Sequence, residues 1–464
     1  MSMASIVGKV IISGTIITLS PLLIGGGQSE EDHDYDIHVL KDNDENPFIP
    51  GTSIAGVVRH NIRDILPNFE IAMFGSLGEI QSSVNFDDIV LKNTNIIYRD
   101  GVGIDLYTGA GIDGVKYNYE AIEPNAKGKF LAEITFRGYH LENVDDITSP
   151  IRSDFIECVL LMRDLLKDGI RVGALTTKGF GLVKLIDEKT ILYDFSKKED
   201  IKSWFMQDDK ADTKSLMRRS VFSDVDKNDF IVKAYLSING SIIIRDYNVA
   251  NDVRKNRTST VTSVMMKTGG KYVIPGTSIK GVLRHQAEKI FLTTGRNINE
   301  LENLMGNLPD YKKNDDNNKK KIKSRFYVSE AFFDSSKVDE VPQTRNRIDR
   351  FTGGVIDNAL FTVKPIWQKA YEEKSLCLEF FVKKASYAEA GLMLFLLKDI
   401  CQGKVAFGGE KHIGRGTFQG LKVTINYQGE KWIIDKEGQV IEGDISKLNE
   451  YANEFIKEGE LHGY

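Results

Sequence analysis

Two stretches of sequence decide the fold: IPGTSIAGVVRH at residues 49–60 and IPGTSIKGVLRH at residues 274–285. Ten of their twelve positions are identical. Two weaker pairs keep the same order along the chain, GIDLYTGAG (103–111) with RIDRFTGGV (347–355) and KGFGLVKL (178–185) with IGRGTFQGL (413–421). A shared turn type could explain one such match but not three in one order. The period of roughly 235 residues is too long for a solenoid, so the sequence indicates a tandem of two related domains.

Each copy opens on a run rich in β-branched residues, KVIISGTIITLS (9–20) and DFIVKAYLSI (229–238), which predicts a strand. The Pro-Gly-Thr-Ser step predicts a turn in which Ser53 or Ser278 caps the following helix. Further strands and a second helix follow in both copies. This order predicts an α+β fold with two tandem ferredoxin-like (RRM-like) domains. We expect a first domain at 1–190, a charged linker at 191–228, a second domain at 229–424, and a C-terminal tail at 425–464 with a helix around 445–457.

Composition excludes several classes of protein. The 464 residues are 41% hydrophobic, which is enough for packed cores, and 61 basic against 66 acidic residues give a net charge of −5. Three widely spaced cysteines (Cys158, Cys377 and Cys401) argue against a disulfide scaffold or a cysteine-rich zinc site and fit a reducing cytoplasm. No window reaches the roughly 18 apolar residues of a membrane span, so we expect no membrane partner.

Basic residues at matched positions suggest phosphate binding. We expect Arg59, Arg63, Lys280 and Arg284 in the first turns of the two helices, where a helix N-terminus and a cation can hold a phosphate. The alternative is that they are solvated charges on the helix surface. Glycine-rich loops such as GGG (25–27) could present N–H groups to phosphates, or could be tight turns.

The stretch QTRNRIDRFTGG (343–354) combines three arginines with Phe351, which is typical of a hairpin that neutralises phosphates and stacks on bases. A plain structural hairpin is the alternative. The stretch EEDHDYDIHVLKD (30–42) is dense in carboxylates and histidines, which can hold a divalent metal or supply a base. A solvated acidic loop is the alternative there. The second copy is basic at the corresponding place, IRDYNVANDVRKNRTSTVTSVMMK (244–267).

Taken in order, GGG, an aspartate-bearing loop, VLKD, IPGTSIxGxxRH, (R)IDxxTG and a C-terminal GxG loop resemble the RAMP superfamily, and most closely the backbone subunits of type III CRISPR effector complexes. The resemblance covers nearly the whole chain twice. It implies a ferredoxin-like palm with a β-hairpin thumb in each domain. It also implies a CRISPR guide RNA, a complementary target RNA and other type III effector subunits as partners. The residues expected to contact RNA are Gly25, Gly26, Ser53, Arg59, Arg63, Lys178, Ser278, Lys280, Arg284, Arg345, Arg347, Arg350, Phe351 and Arg415.

In catalytic members of that group a loop aspartate before the VLKD-like motif cleaves target RNA with a divalent metal, Mg²⁺ or another. The matching residue is Asp36, which we expect to be both the catalytic residue and a metal ligand. His38 stands where the family often has proline. Asp36 lies five residues before Lys41 of the VLKD motif, and the residue five before Lys267 in the second copy is Thr262. The second domain is therefore expected to be inactive, although Asp252 lies nearby. The sequence therefore favours a cytoplasmic, guide-RNA-binding endoribonuclease subunit for antiviral defense. The alternatives are a purely structural RNA-binding subunit and a nuclease of CRISPR precursor RNA that uses His60 or His285.

Overall fold

The computed structural model describes residues 5–26, 36–105, 107–138, 153–206, 228–246, 261–307, 321–357 and 359–457. The chain forms two compact units, each interrupted in sequence. Unit 1 comprises Met1–Arg99, Tyr119–Thr176 and Phe180–Val225, and unit 2 comprises Asp100–Asn118, Thr177–Gly179 and Asp226–Tyr464. The domain boundaries predicted from the sequence remain predictions.

The elements of residues 5–206 are, in chain order, β1 (Ile6–Thr18), β2 (Phe48–Ile49), α1 (Gly51–Ile65), α2 (Pro67–Phe74), β3 (Val84–Phe86), β4 (Ile89–Val90), β5 (Ile96–Ile104), β6 (Gly111–Ile122), β7 (Lys127–Arg137), α3 (Ser153–Asp168), β8 (Ile170–Arg171), β9 (Leu182–Asp194) and α4 (Lys198–Met206).

Those of residues 228–457 are β10 (Phe230–Ile238), β11 (Ser241–Ile242), β12 (Val261–Val264), β13 (Lys267–Thr268), β14 (Lys271–Ile274), α5 (Gly276–Thr294), α6 (Ile298–Met305), β15 (Phe326–Val328), β16 (Ala331–Phe332), β17 (Val338–Glu340), β18 (Gln343–Arg345), β19 (Phe361–Lys364), β20 (Ile366–Gln368), β21 (Leu376–Val382), α7 (Tyr387–Cys401), a 3₁₀ turn (Lys411–Ile413), β22 (Phe418–Tyr427), β23 (Glu430–Asp435), β24 (Val440–Glu442) and α8 (Ile445–Lys457).

The central sheet of unit 1 is antiparallel, with strand order β3-β7-β1-β9-β8. Strand β1 lies in the middle, and its Ile12 is opposite Ala132 on one side and Thr190 on the other. Val10, Ile12, Ile16 and Thr18 of β1 are buried at even spacing, as expected for a strand with one face against the core, and its start is buried on both faces from Val7 to Val10. With α1 after β1 and α3 after β7, this is the ferredoxin-like order βαββαβ, which confirms the predicted fold.

Unit 2 repeats this arrangement in a sheet of order β15-β21-β10-β22-β23-β24. Helices α5 and α7 take the places of α1 and α3. The predicted helix of the C-terminal tail is confirmed as α8, which packs against α7. Gly391 of α7 permits this contact, because a Cβ there would lie 2.2 Å from the carbonyl oxygen of Tyr451. The tail thus extends the sheet of unit 2 with β23 and β24 and covers α7.

Each copy also carries a hairpin with an exposed tip. Strands β5 and β6 form a two-stranded sheet, and β18 pairs with β19 with a further bridge between Ile348 and Val355. These hairpins confirm the predicted thumbs. None of the helices in the described ranges is long and apolar enough to cross a membrane.

Candidate functional site

The two hairpin tips share one turn, and the repeated Ile-Asp-x-x-Thr-Gly motif explains it. Asp105 Oδ1 accepts hydrogen bonds from the backbone N–H groups of Tyr107 (3.0 Å) and Thr108 (2.8 Å). Asp349 Oδ1 does the same for Phe351 (2.9 Å) and Thr352 (2.8 Å).

The pKa of Asp349 lies below its usual value, because hydrogen bonds favour the charged carboxylate. Their donors are the backbone N–H of Thr352, the backbone N–H of Phe351 and the Thr352 hydroxyl. The next residue of each turn is a glycine with φ near +67°: Gly109 at +66° and Gly353 at +68°. The turn holds one aromatic ring outward in each tip, with Tyr107 87% and Phe351 99% exposed. A ring held in solvent by a rigid turn can stack on a base.

The two tips differ in charge. Arg347 and Arg350 are exposed on the second tip, where the first has Gly103 and Leu106. Arg345, in contrast, lies at the base of its hairpin in β18, where its guanidinium is 3.2 Å from Glu410 Oε2 and donates to Gln343 Oε1. Of the three arginines in this stretch, the structure therefore places two on the tip and one in an internal ion pair.

Glu410 is the centre of a buried charge network. Its carboxylate contacts Arg415 (2.8 Å), Arg345 (3.2 Å) and Arg245 (3.6 Å). Arg415 is 3% exposed and also donates to Ser241 Oγ and Gln343 Oε1. The guanidinium of Arg415, which the sequence suggested as an RNA contact, is therefore engaged inside unit 2.

A second cationic group lies at the start of α5. Lys280 is 7% exposed and donates to Thr177 Oγ1 (2.8 Å), Ser324 Oγ (2.8 Å) and the Phe326 carbonyl oxygen (2.9 Å). Burial, together with the nearby positive charges of Lys178 and Arg284, lowers the pKa of Lys280 to about 7. Burial also lowers the pKa of Lys178.

Arg284 of α5 is itself 9% exposed. Its guanidinium pairs with Glu288 (3.0 Å) and donates to the Gly306 carbonyl oxygen (2.6 Å). Gly276 permits the close approach of the 177–179 segment to this helix, since a Cβ would lie 2.1 Å from the Lys178 carbonyl oxygen. Lys280 and Arg284 are thus built into the interior of unit 2, and Lys178 beside them is partly buried.

The prediction that serines cap the two helices is wrong. The N-cap residues are Pro50 and Pro275, three residues before the serines, and neither helix start has a side-chain cap hydrogen bond. Ser53 and Ser278 therefore lie inside the first turn. Proline fixes a φ compatible with a helix start and lacks only a donor that the helix would not use. In α1 the N–H of Gly51 instead donates to Asp88 Oδ1 (2.8 Å), a residue distant in sequence.

The prediction that Arg59 and Arg63 lie in the first turn of their helix is also wrong, because that helix begins at Gly51. Arg59 lies in the third turn of α1 and Arg63 in its last turn, far from the N-terminus. Both guanidinium groups contact Glu70 of α2, with Arg63 donating at 2.9 Å, and Arg59 also donates to the Gly75 carbonyl oxygen. These bonds lower the pKa of Glu70 to about 2. The two arginines are half-buried and exposed, respectively, and they tie α1 to α2.

Asp36 is exposed and directly precedes a segment, residues 37–39, that contacts the base of the first hairpin. Residue Ile37 bridges Tyr119, and Glu120 Oε2 accepts from the Val39 N–H (3.1 Å) and lies 3.5 Å from His38 Nδ1. On the other side Gly26 N–H donates to the His38 carbonyl oxygen, and Gly25 bridges Val39. Residues 37–39, which follow Asp36, are therefore held by the hairpin base on one side and by Gly25 and Gly26 on the other.

Asp36 supplies one exposed carboxylate to which a divalent metal ion could bind. The part of the chain that the structure describes contains no group of three or more histidine, cysteine or acidic side chains able to hold an ion. The acidic residues Glu30 to Asp34 lie outside the described residues, as does Asp252. Mg²⁺ is commonly bound by one or two carboxylates together with substrate phosphates, so Asp36 fits a metal that RNA itself helps to hold. Thr262, its counterpart, donates instead to the Thr362 carbonyl oxygen (3.2 Å).

Sequence reasoning missed a cavity of about 640 Å³ in unit 2. The first hairpin tip, with Ile104, Asp105, Thr108 and Gly109, forms one wall. Helix α5 and the 404–412 loop form the other, and their lining residues include Val282, His285, Gln286, Lys289, Lys404, Glu410, Lys411 and His412. The cations outnumber the acids, and both Asp105 and Glu410 are already engaged in their own contacts. Three lysines against two carboxylates give this concave surface a weakly positive local charge. The only sequence signal was the lysine-bearing run KVAFGGEKH before the GRG loop.

Comparison with known proteins gives one family, and many solved structures are similar to this chain. The model of the RAMP superfamily matches residues 15–184 and 255–419, which together are more than half of the chain. The structure entitled "Cryo-EM structure of the Type III-B Cmr-beta bound to cognate target RNA" is similar with 19% identity and a TM-score of 0.31. The match covers 40% of this chain and 61% of that one. No curated protein matches the chain.

Proposed function

Because this chain belongs to the RAMP superfamily and carries two of its regions in tandem, we propose that it is a backbone subunit of a type III CRISPR effector complex that binds guide RNA. The observation that carries the proposal is the pair of identical tip turns, each holding an aromatic ring in solvent. Complementary target RNA and the other effector subunits are the partners that this function implies.

The chemistry of the tips and the cavity supports RNA as the ligand. Tyr107 and Phe351 offer flat faces to unstacked bases, and Arg347 and Arg350 can neutralise phosphates beside the second ring. Lys289, Lys404 and Lys411 supply positive charge to the cavity beside the first tip. The net charge of −5 does not oppose this, because a ligand responds to the local field rather than to the total charge.

We further propose that the first domain cleaves target RNA at Asp36. The 2′-hydroxyl of the target gives its proton to solvent as its oxygen attacks the adjacent phosphorus. The bond from phosphorus to the 5′-oxygen breaks and that oxygen takes a proton from solvent, which gives a 2′,3′-cyclic phosphate and a 5′-hydroxyl end. A divalent ion would stabilise charge on the phosphate and the leaving oxygen. Asp36, followed by a segment that Ile37 and Val39 hold to the hairpin base, would orient that ion on the RNA phosphate. Thr262 offers no carboxylate, so we propose that the second domain does not cut.

A purely structural RNA-binding subunit is the second candidate. It is favoured by the single carboxylate at this place, since the described residues contain no preformed metal cluster. Both candidates predict guide RNA binding, and only the first predicts that Asp36 matters for cleavage. The three cysteines are free thiols, in keeping with the cytoplasmic location that we propose.

The test uses the assembled complex with guide RNA and a labelled complementary RNA, with and without Mg²⁺. We expect metal-dependent cuts that disappear in Asp36→Ala and Asp36→Asn while guide and target binding stay within about twofold. Asp44→Ala is the matched control, because it removes an exposed carboxylate from the same region. Cleavage at the normal rate in both Asp36 variants would leave the chain a structural subunit. A complex that retains no guide RNA would refute the binding function itself.

A further inference from the structure

The central sheet of unit 2 has two unlike faces. On one face Ala234 of β10 and Leu378 and Phe380 of β21 are buried in the core with α5 and α7. The residues between them point to the opposite side, because successive side chains of a strand alternate. We call that side the outer face, and its members on these two central strands are Ile231, Lys233, Tyr235, Cys377, Glu379 and Phe381.

The outer face is covered in unit 1 and open in unit 2. In unit 1, Trp204 of α4 packs with Ile11 of β1 and with the buried Tyr193 of β9, and Lys9 Nζ lies 4.6 Å from the centroid of the Trp204 ring. The described helices of unit 2 lie elsewhere, since α5 and α7 are in the core, α6 packs against α5 and α8 packs against α7. The side chain of Lys233, in the middle of the outer face, is 46% exposed.

Aromatic rings occupy two places on this open face. Phe381 is half-buried and stacks on Tyr327 of the neighbouring strand β15, with ring centroids 4.7 Å apart and planes at 4°. Tyr235 of β10 is also half-buried. Ile231 is the partner of Phe381 in the sheet register, so Tyr235 lies four residues, or about 13 Å, further along the face. In RNA recognition motifs, rings on such a sheet stack two or three bases.

Exposed lysines accompany both rings. Lys374 Nζ lies 4.5 Å from the centroid of the Tyr235 ring, and Lys383 Nζ lies 5.6 Å from that of Tyr327. Lys422 of β22 is the register partner of Tyr235 on its other side. All three lysines are exposed.

The acids near these lysines have partners of their own. Glu379 pairs with Lys233 at 3.0 Å. Asp435 Oδ1 accepts the N–H of Gln439 (2.8 Å), and Asp334 Oδ1 accepts a backbone N–H of its own turn (2.9 Å). The lysines beside the rings therefore supply local positive charge that a phosphate can reach.

This combination favours single-stranded RNA over a protein as the occupant. The cores of protein interfaces are depleted in lysine, and here the ion pair of Lys233 and Glu379 separates the two aromatic places. Rings that accept any base, beside cations that neutralise phosphates, are typical of single-strand binding. The bases of a duplex are already stacked on one another, so their faces are not available to the rings.

We propose that the outer face of unit 2 binds unpaired target RNA. One base stacks on Phe381 and another on Tyr235, and their phosphates lie beside Lys374, Lys383 and Lys422. Guide bases have to stay free for pairing, whereas target bases beyond the paired stretch lose no partner when they stack on protein. The inference rests on the proposed function, because it takes the target from the RNA that the complex pairs with its guide. It adds a binding surface apart from the hairpin tips and the cavity.

Target RNA that carries 4-thiouridine locates the contact. The assembled complex with guide RNA receives a target with a run of unpaired uridines at each end, one of them thiolated, and is irradiated. We expect adducts in the peptides of β10 and β21. Adducts confined to the hairpin tips or to other subunits would overturn the inference, as would adducts on these strands from a thiolated guide but not from the target. Acetylation that is blocked at Lys374, Lys383 and Lys422 before target is added would show a protein on this face and would also overturn it.

Substitution of the rings gives an independent arm. Tyr235→Leu with Phe381→Leu removes both rings and keeps apolar side chains. The unpaired flanks should strengthen target binding by the wild-type complex, and this gain should fall about tenfold or more in the double variant, within the range of base–aromatic stacking. Tyr387→Leu, which changes an exposed tyrosine of α7 in the helix layer, is the matched control and should keep the gain. No gain from the flanks in the wild type, or an undiminished gain in the double variant, would refute the stacking.

Guide RNA retention is measured separately, so that the two proposals fail in different ways. A chain that retains no guide but gives adducts with free thiolated oligouridine at β10 or β21 would refute the proposed function and leave the outer face as a site for RNA. A complex that retains its guide and gives no adducts on these strands would refute the outer-face site alone.

Discussion

Lys280 makes the stability of unit 2 depend on pH, and the size of the effect follows from its burial. Its pKa in the folded chain is about 7, whereas an unfolded lysine titrates near 10.4. Between these values the unfolded chain binds one more proton than the folded chain. The free energy of unfolding therefore rises with pH by about 1.4 kcal/mol per unit, and by about 2.5 kcal/mol between pH 8 and pH 10. Below about pH 6, where Lys280 is protonated in both the folded and the unfolded chain, this contribution no longer changes.

Lys280→Met should abolish that rise, because methionine has a similar length and no titrating group. Urea unfolding at pH 8 and pH 10 measures the difference. The background is Trp204→Phe, since the two remaining tryptophans, Trp367 and Trp432, both belong to unit 2 and report its unfolding. Lys289→Met, an exposed lysine on the same helix, is the control and should keep the wild-type rise.

The comparison of the two variants removes the other groups that titrate in this range, because they are common to both proteins. An equal rise in Lys280→Met and Lys289→Met would refute the reasoning, since Lys280 would then be charged in the folded chain throughout. In that case the hydrogen bonds from the ammonium group to its three acceptors would stabilise the charged form by more than burial destabilises it.

Three further outcomes follow from single contacts. Glu410→Ala should destabilise unit 2 by about 3–5 kcal/mol in urea unfolding, because it leaves the buried Arg415 without its carboxylate; the exposed Glu437→Ala should change stability by less than about 0.5 kcal/mol. Glu70→Gln should flatten the acid limb of unit 1 stability, since the contribution of Glu70 is full above pH 4.5 and is lost as pH falls towards about 2; an unchanged acid limb would contradict the pairing with Arg59 and Arg63. Asp349→Ala should speed amide exchange at Phe351 and Thr352 without lowering Tm, and Asp105→Ala should do the same at Tyr107 and Thr108; protection retained in either variant would mean that the side chain does not hold the turn.

The sequence alone determined the duplication, the ferredoxin-like order and the position of both tips. These follow from local signals: β-branched runs, the repeated Pro-Gly-Thr-Ser step before a helix, and a turn whose hydrogen bonds lie within five residues. The serine cap predicted at that step was wrong. The Ile-Asp-x-x-Thr-Gly motif is the clearest case, because its aspartate, its two amides and its glycine are contiguous, and so the same residues form the same turn in both copies.

Only the tertiary structure decided what the cations do. Lys280, Arg284 and Arg415 look alike in sequence to Arg347 and Arg350, yet the first three are buried and the last two are exposed. Their partners include Thr177, Gly306 and Ser241, which lie 103, 22 and 174 residues away from Lys280, Arg284 and Arg415, respectively. No local sequence pattern predicts contacts across such separations. The cavity beside the first tip arises for the same reason, since its two walls come from segments more than 170 residues apart in the chain. Neighbouring residues specify a turn or a helix, whereas the burial of a charged side chain depends on which distant segments the fold brings into contact with it.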